Sequence, residues 1–223
     1  MNARLIAVTG GIACGKSTLS GLLSELGCKI LDTDEVTHAL QGAHGEAVEA
    51  IADRFGAAIV SLDGAVRRKA LGRIVFADAA ARADLEAIMH PLVDRRVAEW
   101  IETHRVSGVN AILVPLLFEA GYDRKFPWDA IVAVVCSPKI QMQRLLRRGL
   151  SPEEAQARIA AQMPCDEKSR RADFTIVNDG TKTELKEEAE KLLDAISRLP
   201  SRRPVCGDAA SASAGNREEK PEI

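Results

Sequence analysis

The first apolar stretch, Arg4-Leu-Ile-Ala-Val-Thr9, is short, partly β-branched and stops at Gly10-Gly11, the pattern of a strand buried on both faces. From Ser17 to Leu26 the period changes. Leu19, Leu22, Leu23 and Leu26 share one helical face, and Gly27 follows where a helix C-cap favours positive φ. Cys28-Lys-Ile-Leu31 then predicts a second strand, ending at Asp32-Thr33-Asp34. Strand, helix and strand in about 30 residues form a βαβ unit and hence a parallel sheet.

Between Asp34 and His104 spacings of three and four dominate, over residues 45–55, 66–76 and 79–104, and Pro91 is expected to split or kink the last helix. Strand patterns return over 110–114, 130–135 and, more weakly, 173–177. Arg144, Arg147 and Arg148 lie on a predicted helix that stops before Gly149. Ser151-Pro-Glu-Glu154 has the capping-box pair with Pro at the first helical position, so a helix should run from Pro152 to about Gln162. A last amphipathic helix is predicted from Thr181 to Leu199. The alternation predicts an α/β fold with five strands.

Composition narrows the class. With 223 residues, 46% of them hydrophobic, and 30 basic against 32 acidic side chains, the chain is expected to be a soluble globular protein, not a fibrous or wholly disordered one. Its five cysteines are scattered, without a CxxC pair, which suggests neither a disulfide framework nor a zinc site and points to a reducing cytoplasm. No apolar run approaches the ~18 residues of a membrane span, and Met1-Asn2-Ala3-Arg4 leads directly into the first strand. The net charge of -2 argues against nucleic acid as a partner. Residues 139–171 nevertheless hold eight basic and four acidic side chains. Residues 201–223 lose nearly all large apolar side chains and read as a disordered tail.

Gly10-Gly11-Ile12-Ala13-Cys14-Gly15-Lys16-Ser17 satisfies G-x-x-x-x-G-K-[ST] between a predicted strand and a predicted helix, where this motif must lie. Its glycines let successive backbone N–H groups turn toward phosphate oxygens, and the helix N-terminus adds its dipole. Lys16 is then expected on the β- and γ-phosphates and Ser17 on Mg²⁺. Such a loop serves many chemistries. A GTPase would carry Asn-Lys-x-Asp, which is absent, and the third strand ends in Pro115-Leu-Leu-Phe-Glu119 where an AAA-type ATPase has an acidic pair. A small-molecule kinase needs an acceptor-side carboxylate and mobile arginines. Asp32 and Asp34 follow the second strand, and Arg144 and Arg148, one helical turn apart, suit a lid.

These residues, with Thr18, His38, Arg73 and Phe76 before Leu85-x-x-Ile-x-His90-Pro91, Gln141, Gln162, Ala172-Asp173 and Asn178-Asp-Gly180, make the chain from about Leu5 to Leu199 resemble the dephospho-coenzyme A kinase family. The resemblance implies ATP-dependent phosphorylation of the 3′-hydroxyl of dephospho-coenzyme A with Mg²⁺, giving coenzyme A and ADP. It implies a P-loop nucleotide-kinase fold, a five-stranded parallel sheet between helices, as one domain over 1–200. Its core would be 1–33, 108–137 and 172–199, with a helical acceptor part over about 34–107 and a lid over about 138–171. By motif, Asp34 would be the base or hydroxyl-orienting group and Asp32 would join Ser17 at the metal. Arg144 and Arg148, with Lys16, would act on the phosphates, and Asn178 and Gly180 would lie beside the adenine. Arg73, Phe76, His90, Pro91, Leu116 and Glu119 would face the acceptor, with Arg95 a less certain neighbour. An ordinary aspartate, with a pKa near ~3.9, is ionised at pH 7, so Asp34 would align the hydroxyl and accept its proton late.

Two positions depart from the family. Ala13 and Cys14 stand where Gly and Ser are common, adding a Cβ that disfavours positive φ and a thiol open to oxidation if exposed. No obligatory protein partner is implied. Another P-loop small-molecule kinase, for a nucleoside monophosphate or a shikimate-like alcohol, and a non-catalytic nucleotide-binding module are the alternatives.

Overall fold

The computed structural model describes residues 3–104 and 107–200; the tail expected over 201–223 lies outside them. In chain order the elements begin β1 (Arg4–Gly10), α1 (Lys16–Glu25), β2 (Lys29–Asp32), α2 (Thr33–Leu40), α3 (Val48–Phe55), α4 (Arg68–Ala77) and α5 (Ala79–His104). They continue β3 (Val109–Leu113), β4 (Ala130–Val135), α6 (Pro138–Arg147), α7 (Pro152–Ala160), α8 (Cys165–Arg171), β5 (Phe174–Val177) and α9 (Lys182–Ser197). The described residues form two compact units, one of residues 3–30 with 107–200 and the other of residues 31–104.

The first unit is built on a five-stranded sheet in the order β2-β3-β1-β4-β5. β1 pairs in parallel with β3 and with β4, and β4 with β5. The α/β class with a parallel sheet is therefore as expected. Ile6 sits opposite Ala111 on one side and Ala130 on the other. Their near-continuous apolar sequences follow from burial on both faces: Ile6, Ala7 and Val8, like Val132 to Val134, are fully enclosed. Leu19, Leu22 and Leu23 of α1 and Leu185, Ala189, Leu192 and Ile196 of α9 cover the sheet in one core. Because chain order reverses on either side of β1, its carboxyl end opens at the topological switch point, where open α/β sheets take ligands.

The second unit is helical. α5 is its spine, burying Ala81, Met89, Val93, Val97 and Ile101, mostly at intervals of four. This helix runs unbroken through Pro91, contrary to the expected split. A proline inside a helix costs about 3 kcal/mol, but the buried stripe continues on both sides of it. Pro91 and Ala87, whose carbonyl loses its helical donor, are both solvent-exposed.

Candidate active site

The phosphate loop joins β1 to α1, and its glycines have specific neighbours. Gly10 has φ 151°, and a Cβ there would strike the Val134 carbonyl. At Gly15, φ 100°, a Cβ would strike the Asn178 carboxamide. Ala13 takes φ 59° despite its side chain, so the left-handed geometry that the sequence disfavours is present. The Ala13 methyl is buried against Leu145 and Ala155.

Side chains from distant elements fix the loop's own polar groups. Gln162 Oε1 accepts from the Ile12 N–H at 2.8 Å, and Gln141 Nε2 donates to the Ile12 carbonyl at 2.8 Å. One peptide-bearing residue is thus held at both of its backbone groups. Asn178 Nδ2 donates to the Cys14 carbonyl at 2.8 Å. Arg144 Nη2 donates to the Asn178 carbonyl at 2.9 Å, and its Nη1 to the carbonyls of Ala13 and Cys14 at 3.3 and 3.4 Å. Lys16 Nζ donates to the Gly10 and Gly11 carbonyls at 2.9 and 3.0 Å. Ser17 and Thr18 are exposed on the first turn of α1. Predicted residues Gly10 to Thr18, Arg144 and Asn178 therefore come together.

Other predicted residues of this unit lie apart or have a structural explanation. Arg148 is the C-cap of α6, with its side chain in solvent. Gly180 precedes the Thr181–Glu184 capping box of α9, and a Cβ on it would strike the Glu184 carboxylate. Leu116 is 46% exposed. Glu119 bonds Lys168 Nζ at 2.8 Å and accepts from the Met163 N–H at 3.1 Å. Burial would raise the Glu119 carboxyl, but these donors and the lysine charge hold it below the usual glutamate range. Lys168 is wholly enclosed and also donates to the Pro115 carbonyl at 2.8 Å, which accepts from the Thr9 hydroxyl at 3.2 Å as well. That network ties α8 to the residue that enters the phosphate loop.

Gln141, Gln162 and Lys168 have no role assigned from the sequence above. The two glutamines were visible as motif positions. Lys168 carried no signal beyond its place in the basic window.

In the helical unit, Asp32 is the N-cap of α2, its Oδ1 accepting from the Asp34 N–H at 2.9 Å. Asp34 is exposed on the first turn of that helix. Arg73 and Phe76 are three apart on α4, both exposed, Phe76 to 91%. His90 is half-buried on α5 beside the exposed Pro91. Arg95 is engaged by Glu46 and by Glu99. A cavity of about 570 Å³ within this unit is lined by Leu31, Val36, Leu40, His44, Arg96 and Trp100, among others.

The family model for dephospho-CoA kinase matches residues 4–184. The chain belongs to the dephospho-CoA kinase family. A dephospho-CoA kinase of Symbiobacterium thermophilum is 43% identical over 216 residues, spanning 96% of this chain and 90% of that protein. Another, of Anaeromyxobacter dehalogenans, is 43% identical over 91% of this chain and 99% of its own length. Among solved structures, a Thermus thermophilus protein aligns with TM-score 0.77 at 34% identity, over 87% of this chain and 98% of that one. A dephospho-CoA kinase from Campylobacter jejuni aligns with TM-score 0.62 at 26% identity, over 88% of this chain and 98% of its own. The phosphate loop, the Asp32/Asp34 pair, Arg144 and Asn178 all fall inside the span matched by the dephospho-CoA kinase model.

Proposed function

We propose that this chain transfers the γ-phosphoryl group of ATP to the 3′-hydroxyl of dephospho-coenzyme A, yielding coenzyme A and ADP. Membership of the dephospho-CoA kinase family across residues 4–184 is the observation that carries this reading. The clamped phosphate loop supports it. Backbone amides held in place before the ligand arrives stabilise charge without reorganising.

Asp34 is assigned to orient the acceptor hydroxyl and take its proton as the new bond forms. Its exposed place on the first turn of α2 leaves room for a substrate. Leu31 and Val36, which flank the Asp32/Asp34 segment, line the cavity of the helical unit, and its size is in the range of small-ligand pockets. We assign the body of the acceptor to that unit, with the exposed Arg73 and Phe76 as further contacts. Lys16 and Arg148 are assigned to the phosphates. Arg144, bonded to three backbone carbonyls, acts as much by holding the loop as by its charge.

Ser17 and Asp32 supply the hard oxygen donors that Mg²⁺ prefers. When bound with ATP, the ion neutralises charge on the phosphates. No helix among the described residues is long and apolar enough to cross a membrane, and the reading places the protein in the cytoplasm.

The test is ADP release with Mg-ATP and dephospho-coenzyme A, AMP, CMP, shikimate or no acceptor. Stimulation by dephospho-coenzyme A alone is expected, with coenzyme A as product. In Asp34→Ala the turnover should fall about 10³-fold while ATP binding stays within about twofold, the scale of a lost general base. Equal stimulation by another acceptor, or an Asp34→Ala variant with full turnover, would refute the assignment.

A further inference from the structure

Three cysteines from separate elements converge under the phosphate loop. Cys14 lies within the loop itself, Cys136 follows β4, and Cys165 opens α8. Cys14 Sγ is 3.4 Å from Cys136 Sγ and 3.6 Å from Cys165 Sγ. A Cβ on Gly11 would meet both Cys165 Sγ and Cys14 Sγ, so the sulfurs pack directly against the loop backbone. Their access differs. Cys14 has no exposed surface and Cys136 has 6%, whereas Cys165 is half-buried. Within the group, the hydrogen bond with Cys136 holds the Cys14 thiol up to about 11 and holds Cys136 below the usual thiol range. The bond with Cys14 and burial push Cys165 above that range, so the reaction of Cys165 with peroxide is slow and set by its access.

We propose that Cys165 and Cys14 form a reversible disulfide that shuts down nucleotide binding, with a hydroperoxide as oxidant. The peroxide reaches the sulfur with access to solvent. Attack of Cys165 on hydrogen peroxide breaks the O–O bond, gives a sulfenic acid and releases water. Cys14 then attacks that sulfur, displacing a second water, and its thiol proton leaves with the departing oxygen. In sum two thiols lose two electrons and two protons, and one peroxide becomes two waters. Disulfides in reducing compartments are typically transient and redox-sensing.

The consequence for the loop follows from distance. A disulfide needs its sulfurs about 2.05 Å apart, so the two sulfurs must close from their present 3.6 Å separation. Cys14 has little slack. Its carbonyl is held by Asn178 and Arg144, and its neighbours Ala13 and Gly15 are both at positive φ. Drawing Cys14 toward α8 turns the loop amides away from the phosphate positions. The loss of nucleotide binding rests on the phosphate-loop reading above; formation of the disulfide does not.

Full-length protein is treated with hydrogen peroxide, blocked at remaining thiols and digested without reductant. Trypsin leaves Cys14, Cys136 and Cys165 on three different peptides. The expected product is a Cys14–Cys165 linked pair, with Mg-ATP affinity down about tenfold or more, the scale of a displaced binding group, and restored by dithiothreitol. Cys165→Ser should bind Mg-ATP normally and keep that affinity after peroxide. Three results would overturn the proposal: no linked pair, Cys14 linked to Cys136 instead, or a linked protein that binds Mg-ATP as tightly as the reduced one. A reduced protein that fails to bind Mg-ATP refutes the phosphate-loop reading alone, since the peptide map needs no nucleotide.

Discussion

Around the phosphate loop the candidate residues lean on buried or half-buried partners. Gln141 and Gln162 hold Ile12, Asn178 and Arg144 hold Cys14, and Lys168 holds the segment that runs from Pro115 to Glu119. In the helical unit Asp34, Arg73 and Phe76 are exposed, and Asp32 caps α2. The contrast fits the roles proposed above for the two sides. Phosphate is recognised by backbone amides, which work only if their directions are fixed beforehand. An acceptor hydroxyl must arrive, react and leave, and exposed side chains permit that. Substitutions should therefore be felt as lost stability in the first unit and as lost acceptor affinity in the second.

Lys168→Ala is expected to have the largest effect on stability. It leaves the Pro115 carbonyl and the Glu119 carboxylate without their buried donor, and breaking a buried pair from one side costs about 3–5 kcal/mol. Chemical denaturation should show that loss. Acid should expose the same pair. Because the native Glu119 pKa is depressed, its contribution is complete above the unfolded value and is lost as pH falls through the folded one. Wild-type stability should thus decline on that acid limb more steeply than the variant's. A variant as stable as wild type with an unchanged acid limb would show that the pair holds nothing in place.

That pair also marks where sequence reading stopped. β1, β4, α1 and α9 were legible because burial there follows a period of two, a continuous apolar run, or 3.6. α8 has no such pattern, since its seven residues are Cys-Asp-Glu-Lys-Ser-Arg-Arg and the one fully buried is a lysine. Hydrophobic periodicity cannot find a helix anchored by an ion pair. The glycine spacing of the phosphate loop was legible because backbone geometry constrains it directly. The clamp on Ile12 was not, because Gln141 and Gln162 lie 129 and 150 residues away in the chain. The Asp32/Asp34 pair was legible as a motif, but the capping of α2 by Asp32 shows only in the structure. At Pro91 local propensity gave way to the buried stripe running past it.

Phe76→Ala sharpens the other half of the contrast. A ring that is 91% exposed contributes little packing, so the unfolding midpoint should move by no more than the ±0.5 kcal/mol typical of surface changes. If the ring touches the acceptor, the KM for dephospho-coenzyme A should rise about tenfold, the ~1.4 kcal/mol of a modest apolar contact. The KM for ATP should not move. A fall in stability with both KM values unchanged would place Phe76 outside the site.

The smallest effect is expected at Ala13, where the terms oppose one another. Its φ of 59° places an L-residue in the left-handed region, which costs about 1–2 kcal/mol. Ala13→Gly relieves that strain. It also removes a methyl packed against Leu145 and Ala155, worth about 0.8 kcal/mol. The freer unfolded glycine chain takes back a further ~0.4–1 kcal/mol. The sum lies near zero, so the melting temperature should change by less than about 2 °C by calorimetry. A rise well beyond that would mean that backbone strain at Ala13 exceeds the packing it permits. A comparable fall would mean that the methyl, seated between α6 and α7, is part of what keeps the loop clamped.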